Sequence, residues 1–157
     1  PSISITIRSS ADVTGLFSRP GRDLHYDKVL KPFDREAPRY ALYCVDHLGT
    51  TMLESISLGI PTVVVIEKRL TMYHPDAQGV MVSLEQAGII HYCPVSAAAF
   101  INERFSTIDE WWQSEAVQTA LTTFRRRFAW PSHTPEKDLI SFFCSQSKQE
   151  RDSNSRP

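Results

Sequence analysis

The sequence predicts an α/β fold in which a mainly parallel sheet has helices on its faces. Three short, apolar runs alternate with segments of helical periodicity, and the chain then continues in helices alone. Strands that alternate with helices are joined by crossover connections, which are typical of parallel sheets. The chain has 157 residues, of which 41% are hydrophobic and 22% charged, enough for one globular domain. We place this domain at residues 1–144.

The first strand is predicted at the start of the chain, in "PSISITI". Ile3, Ile5 and Ile7 alternate there with Ser and Thr, the period of a half-buried strand. The segment 8–40 is rich in Gly, Pro and charge, and it predicts a loop with one or two short helical turns. Because the chain begins inside a strand, we expect it to be a piece of a larger protein.

The next segment predicts a strand, a helix and a second strand in close succession. "ALYCV" (41–45) is a short apolar run, typical of a strand covered on both faces. "TMLESISL" (51–58) predicts a helix that ends at Gly59, with Pro61 just beyond. "PTVVVI" (61–66) is β-branched almost throughout and predicts another buried strand.

A polar excursion follows the second buried strand and leads to a second helix–strand unit. The excursion covers residues 67–79, and "VMVSLEQAG" then predicts a helix that ends at Gly88. One face of this helix is apolar and consists of Val80, Met81, Leu84 and Ala87. "IIHYC" (89–93) predicts a third short strand that ends at Pro94.

The segment from Val95 to about Trp130 predicts helices only. Its last part has an apolar face at spacings of 4, 3 and 4, formed by Val117, Leu121, Phe124 and Phe128. We expect one residue of the Trp111–Trp112 pair to anchor these helices on the sheet. The basic run 125–127 is assigned to the solvated side of the last helix. The polar, aperiodic residues 145–157 predict a disordered tail.

Composition excludes several classes of partner. A formal net charge of −1 gives no field that would attract nucleic acid. No apolar run approaches the ~20 residues that cross a bilayer. The three scattered cysteines predict a reducing, cytoplasmic location, and we interpret Cys44 and Cys93 as small core residues.

Sequence motifs argue against metal, nicotinamide and P-loop sites. His25, His91 and His133 have no carboxylate or cysteine at ligand spacing, so no metal site is predicted. No G-x-G-x-x-G follows a strand, and no P-loop is present. We therefore expect no cofactor.

The stretch "VDHLGTTMLE" (45–54) is the candidate site, because it joins the carboxyl end of a predicted strand to a helix start. One interpretation is purely structural. Thr51 and Glu54 have the spacing of a capping box, in which each side chain binds the other residue's amide. Gly49 would form the turn, and the helix would bury Leu53, Ile56 and Ile60. On this interpretation nothing binds there.

The second interpretation adds an anion to the same turn. A helix N-terminus offers unpaired N–H groups and partial positive charge, which together bind phosphate. Gly49 allows close approach of the backbone, the hydroxyls of Thr50 and Thr51 can donate to phosphate oxygens, and His47 adds a further donor. Glu54 has the reach to accept hydrogen bonds from a ribose diol. The two interpretations are compatible, since a capped turn can also bind a ligand.

Several separated blocks then show a resemblance to a known family. "VDHLGTTMLESISLGIPTVVV", "LEQAGIIHYCPVSAAAFIN" and "IDEWWQSEAVQTALTTFRRRFA" resemble the C-terminal part of a family of bacterial surface-polysaccharide (O-antigen cluster) transferases. That family has an Asp-His-x-Ser/Thr-Thr-x-x-x-Glu segment, then "IP" and a strand. The resemblance covers residues 43–129 and is poor over the first forty. Gly49 departs from the Ser that is frequent in the family.

The resemblance implies a glycosyltransferase of the GT-B type, with two Rossmann-like domains and the nucleotide sugar held mainly by the C-terminal one. Residues 46–54 fall where this arrangement binds the donor phosphate and ribose. An N-terminal acceptor-binding domain would then be missing from the chain, and no catalytic base can be named. A sugar-nucleotide epimerase of the same architecture and a non-catalytic α/β interaction module remain as alternatives.

Overall fold

A computed structural model describes residues 5–8, 24–27, 32–129, 132 and 134–154. Ile3, Trp130, His133 and residues 155–157, which the sequence predictions mention, lie outside this part, as does most of the predicted loop 8–40. The strands are β1 (Ile5–Arg8), β2 (Leu24–Asp27), β3 (Tyr43–Val45), β4 (Thr62–Val65) and β5 (Ile90–His91). The α-helices are α1 (Phe33–Glu36), α2 (Thr50–Ser57), α3 (Pro75–Gln86), α4 (Pro94–Arg104), α5 (Ile108–Gln113), α6 (Glu115–Phe128) and α7 (Pro135–Asn154). Short 3-10 turns lie at Ala37–Arg39, Lys68–Leu70 and Phe105–Thr107.

The central sheet consists of β3, β4 and β5, all parallel and in that order. Cys44 lies opposite Val63, and Val64 lies opposite Ile90. The helix α2 connects β3 to β4 and α3 connects β4 to β5, so each pair of neighbouring strands is joined by a helical crossover. The predicted α/β class with a parallel sheet and flanking helices is confirmed.

Glycine ends both crossover helices in the left-handed conformation that the sequence pattern predicts. Gly59 has φ of +74° after α2, and Gly88 has φ of +77° after α3. Only glycine adopts this conformation without a steric cost from Cβ. The chain can therefore turn within two or three residues from each helix into the next strand.

The core lies between the sheet and the helices α2, α3, α5 and α6. Its centre is formed by Val63 and Val64 of β4 together with Ile56, Leu84 and Leu121 from three helices, all of them completely buried. Both tryptophans of the Trp111–Trp112 pair are buried. Trp111 Nε1 donates to the carbonyl of Ala87 at 2.9 Å, and Trp112 Nε1 donates to the carbonyl of Gly59 at 2.7 Å. The expected anchoring role is thus confirmed, and it belongs to both residues.

The first described strand has a partner that the sequence did not predict. β1 pairs in parallel with β2, with Ile5 opposite Leu24 and Arg8 opposite Asp27. β2 has the sequence "LHYD", which contains neither an apolar run nor a clear alternation. The predicted short helical turns after it are present as α1 and the 3-10 turn at Ala37–Arg39.

One helix is longer than the sequence predicted, and another was not predicted at all. α3 begins at Pro75 and not at Val80, so the polar excursion ends after His74. Pro at the first helical position and Asp76 in the first turn are both typical of a helix start. α7 continues to Asn154, where a disordered tail was predicted for 145–157. Among the helices of the described residues, none is long and apolar enough to cross a membrane.

The prediction that Cys44 and Cys93 are core residues is wrong. Both are exposed, as is Cys144. Cys44 lies on β3, which is an edge strand of the three-stranded sheet and buries only Val45. The expectation that β3 is covered on both faces is also wrong, because only Val45 of this strand is buried. A short apolar run in the sequence does not distinguish an edge strand from a central one.

Candidate functional site

Three helices begin at the same edge of the central sheet. β3, β4 and β5 are parallel, so their carboxyl ends meet at one edge, and each strand is followed there by a helix. These helices start at Thr50, Pro75 and Pro94. In open α/β sheets, ligands bind outside the carboxyl ends of the strands. The loop of residues 46–49 lies at this edge, between β3 and α2.

The N-terminus of α2 has no side-chain cap. Gly49 is the N-cap residue, its backbone is extended, and, as a glycine, it has no side chain to accept a hydrogen bond from the amides of the first turn. The first backbone bond of the helix joins the Leu53 amide to the Gly49 carbonyl at 3.2 Å. Therefore the backbone N–H groups of Thr50 and Thr51 precede the hydrogen-bonded part of the helix.

The predicted capping box is wrong because the helix starts two residues too early for it, with Gly49 and not Thr51 as the cap. Thr51 is the second helical residue and not the cap, so its hydroxyl does not accept from the Glu54 amide. Glu54 consequently does not reach back to the Thr51 amide. Leu53, expected in the core, is 37% exposed, and the buried side of α2 is formed by Met52, Ser55 and Ile56.

The residues predicted to bind phosphate and ribose all lie at the surface. His47, Thr50 and Glu54 are exposed, while Gly49 and Thr51 are half-buried. Thr50 and Glu54 are four residues apart and therefore lie one above the other on the same helix face. The structure thus brings the backbone amides, a hydroxyl and a carboxylate to one accessible end and side of α2.

The imidazole of His47 lies directly over the backbone of Gly49. A Cβ atom at position 49 would stand 2.5 Å from both Cδ2 and Nε2 of the ring. The other ring nitrogen, Nδ1, is 2.8 Å from the Asp46 carboxylate. Asp46 was not among the predicted site residues. The sequence did contain a hint of this role, because Asp46 directly precedes His47 and carboxylates commonly bind histidine rings.

The C-terminal end of α2 is held by side chains from distant helices. The Arg125 guanidinium on α6 donates twice to the carbonyl of Ile56, from Nε at 3.1 Å and from Nη2 at 2.5 Å. Burial lowers the pKa of Arg125 from its ordinary value. Placing Arg125 on the solvated side of the helix was therefore wrong, whereas Arg126 and Arg127 are exposed. Trp112 of α5 holds the same end through the carbonyl of Gly59.

A second cluster of polar side chains lies in the other two strand–helix connections. The Tyr73 and Tyr92 hydroxyls are 3.4 Å apart, and the Lys68 ammonium lies 5.1 Å from the centre of the Tyr92 ring. Burial and the contact with Tyr92 raise the pKa of Tyr73. Sequence reasoning missed these residues, although Tyr92 follows the last strand directly and Lys68 lies in the polar excursion.

The cysteine at the start of α4 is exposed. Cys93 is the N-cap residue of this helix, and the neighbouring backbone amides of Ser96 and Val95 lower the pKa of its thiol.

Across the part of the chain that the structure describes, no group of three or more His, Cys, Asp or Glu residues could hold a metal ion.

The comparisons with known proteins give one match. A family model described as LIC12162 family transferase matches residues 16–143, a stretch that includes the whole central sheet and the loop of residues 46–49. No curated protein and no solved structure matches the chain.

Proposed function

The chain belongs to the LIC12162 family of transferases, and from this premise we propose that it forms the donor-nucleotide-binding half of a glycosyltransferase in cell-surface polysaccharide synthesis. One observation supports this proposal above the others. The N-terminus of α2 is uncapped, is exposed and lies at the carboxyl edge of a parallel sheet, with two threonines in its first turn. Such a helix start is suited to binding a phosphate group.

In this proposal the first turn of α2 holds the diphosphate of a nucleotide sugar. The Thr50 and Thr51 amides donate to phosphate oxygens, and their hydroxyls can donate as well. The partial positive charge at the helix start stabilises the negative charge that develops on the leaving nucleotide. Nothing has to rearrange during the reaction for these groups to act, because Arg125 and Trp112 fix the far end of the helix.

Glu54 is assigned to the ribose. Its carboxylate is exposed one turn further along the helix face on which Thr50 lies. An ionised carboxylate only accepts hydrogen bonds, so it suits a vicinal diol and repels phosphate. The separation of one helical turn, ~5.4 Å, places phosphate and ribose at successive positions along the helix.

The acceptor is assigned to another part of the full protein. A second domain that faces the carboxyl edge of the sheet would supply the acceptor site and the catalytic base. This assignment follows the GT-B resemblance of residues 43–129, since a donor site on one domain leaves the other side of the ligand open.

The experiment that tests the proposal is a titration of the ¹⁵N-labelled chain with pyrophosphate, UDP, GDP and CMP. We expect the backbone amide signals of Thr50 and Thr51 to shift with each diphosphate and less with CMP, which carries a single phosphate. The Gly79 amide, which lies within α3 beyond its first turn, serves as an internal reference. If no signal near Gly49 shifts, the phosphate site is refuted and a non-catalytic interaction module is favoured.

A further inference from the structure

We propose that Asp46 and Gly49 are positioning residues for His47: the carboxylate holds Nδ1–H, and the glycine leaves room for the ring, so that Nε2 points at the start of α2. The ligand for Nε2 rests on the function proposed above: when the ring is protonated, Nε2–H donates to a phosphate oxygen of the diphosphate. The orientation of the ring is a property of the free protein and can be tested without any ligand.

The position of the proton follows from the partner of Nδ1. Asp46 Oδ1 lies 2.8 Å from His47 Nδ1, a normal hydrogen-bond distance. An ionised carboxylate has no proton to donate, so Nδ1 must carry the hydrogen. In the neutral ring Nε2 then has a free lone pair, and in the protonated ring it is a second donor. Both side chains are largely exposed, so this bond orients the ring and adds little stability.

Gly49 provides the space that this orientation requires. A Cβ atom at residue 49 would lie 2.5 Å from Nε2 and Cδ2, closer than real Cβ contacts, and it would force the imidazole away from the turn. Because φ at Gly49 is −132°, the backbone itself would accept any residue. The glycine is therefore needed for this position of the histidine ring and not for the turn.

Another histidine has the opposite arrangement. Nε2 of His91 is 3.0 Å from the Gly88 carbonyl, which can only accept, so the proton of this ring lies on Nε2. At His74, Nδ1 is 3.4 Å from the Asp76 amide and 3.6 Å from the Asp76 carboxylate, so its contacts favour neither tautomer. His47 and His91 therefore differ in the ring nitrogen that carries the proton.

Nitrogen NMR distinguishes these tautomers directly. The chain is labelled with ¹⁵N, and long-range ¹H–¹⁵N correlations are recorded at alkaline pH, where the imidazoles are neutral. We expect the Nδ1–H pattern for His47 and the Nε2–H pattern for His91. In Asp46→Ala, His47 should change to the Nε2–H pattern, while the matched variant Asp76→Ala leaves His47 unchanged. A His47 ring with the proton on Nε2 in the unaltered protein overturns the proposal.

The role of Gly49 is tested with a pair of serine variants. Gly49→Ser should displace the His47 ring and move its Cδ2–H and Cε1–H signals by an amount comparable to Asp46→Ala. Gly79→Ser is the control, because a Cβ at this helical glycine has no atom within 4 Å. Unchanged His47 ring signals in Gly49→Ser would overturn the steric part of the proposal.

Pyrophosphate separates this proposal from the proposed function. With the His47 ring protonated, pyrophosphate should shift the Thr50 amide together with His47 Nε2. Loss of the carboxylate that stabilises this charged, oriented ring should lower the affinity of Asp46→Ala about threefold to tenfold. If pyrophosphate shifts no amide of the loop although the tautomers are as expected, the proposed function fails and the positioning stands. If pyrophosphate shifts the amides equally in both proteins, the positioning has no role in binding and this proposal fails.

Discussion

At the scale of single residues, the start of α2 differs from most helix starts in its cap. Helices usually begin at Ser, Thr, Asp or Asn, whose side chain accepts from an amide of the first turn. Here Gly49 takes that position and offers no acceptor, while both threonines lie inside the helix. The amides that a side chain would normally bind are therefore left to solvent or to a ligand. Two variants test which of the nearby side chains take part.

Thr50→Val should weaken nucleotide binding and leave the fold intact. The hydroxyl of Thr50 is exposed, and valine has the same shape without a donor. We expect a loss of about 1.5–3 kcal/mol in UDP binding, the range for a hydrogen bond to a charged group. The free energy of unfolding should change by less than ~0.5 kcal/mol, as at other surface sites. NMR titration and urea unfolding measure the two quantities.

The control for this change is Thr122→Val, which makes the same replacement at an exposed position of α6. It should alter neither binding nor stability. Equal UDP affinity in Thr50→Val and Thr122→Val would mean that the Thr50 hydroxyl is only part of a turn.

Glu54→Gln should weaken UDP binding and hardly affect binding of pyrophosphate. With the capping box absent, the carboxylate has no role in the helix start, so ribose binding is its remaining predicted role. We expect a loss of about 1–3 kcal/mol for UDP, because the charged acceptor of the ribose diol is replaced by a neutral amide. Isothermal titration calorimetry with both ligands gives the difference.

The exposed Glu103 of α4 provides the matched variant Glu103→Gln, which should bind both ligands normally. A parallel loss for UDP and pyrophosphate in Glu54→Gln would show that Glu54 acts on the helix and not on ribose. Unchanged affinity for both would remove Glu54 from the site.

At the scale of elements, α2 is fixed from its far end. The N-terminal turn that would meet a ligand is accessible, whereas the last turn and Gly59 accept hydrogen bonds from α6 and α5. Both contacts are long-range: Trp112 and Gly59 are separated by 53 positions in the sequence, and Arg125 and Ile56 by 69. A cation at the C-terminal end also stabilises the helix dipole. The terminal helices thus set the position of the site although they contribute no residue to it.

Arg125→Met should lower the free energy of unfolding by about 1 kcal/mol, which is below the range of ~1.5–3 kcal/mol for a charged hydrogen bond. The loss is moderate because the Ile56 carbonyl keeps a bond from the Gly59 amide at 3.1 Å, and the methionine side chain preserves much of the packing. Urea unfolding with an unchanged m-value measures it. In hydrogen exchange, the α2 amides should be the ones that lose protection.

The adjacent variant Arg126→Met removes the same charge from an exposed side chain and should change stability by less than ~0.5 kcal/mol. If the two variants are equally stable, the bonds between Arg125 and Ile56 do not hold α2.

The elements that sequence predicted correctly are those with strong local signals. β4 is β-branched throughout, α2 and α3 end at glycines, and α6 has a clear apolar period. β2 was missed because its four residues give no local signal, and its existence depends on pairing with β1. For α7 the sequence favoured disorder from residue 145 onward, because polar residues dominate beyond the exposed apolar side chains of Leu139, Ile140, Phe142 and Phe143.

At the scale of the whole molecule, the sequence predicted where the candidate site lies in the fold. It did not predict the contacts that orient the side chains of this site. The order of strand, loop and helix fixes the carboxyl edge, and with it the place of Gly49 and Thr50. The contacts that orient His47 and hold α2 in place could not be predicted from the order of the elements. The His47 ring position depends on local geometry, and the contact between Arg125 and Ile56 depends on the packing of α6 against α2. Long-range contacts of this kind have no period or motif.

The final prediction concerns the chain as a unit: it should bind nucleotides weakly and transfer no sugar. Among the proposed phosphate and ribose groups, His47, Thr50 and Glu54 are exposed and Gly49 and Thr51 are half-buried, so a bound nucleotide would keep much of its surface in water. Solvent screens the contacts with phosphate, and an affinity on the order of millimolar, about −4 kcal/mol, is expected. Without a positioned acceptor, the advantage of bringing two reactants together, as much as ~7–11 kcal/mol, is absent.

The measurement is release of free nucleotide from UDP-, GDP- and CMP-sugars by the purified chain, followed alongside NMR titration with the same compounds. We expect saturable shifts near Gly49 and no release above the rate without protein. Interconversion of the sugar while the nucleotide stays attached would instead favour an epimerase of this architecture. Robust release by the chain alone would show that it holds a complete active site, and the assignment of the acceptor and base to another domain would then be wrong.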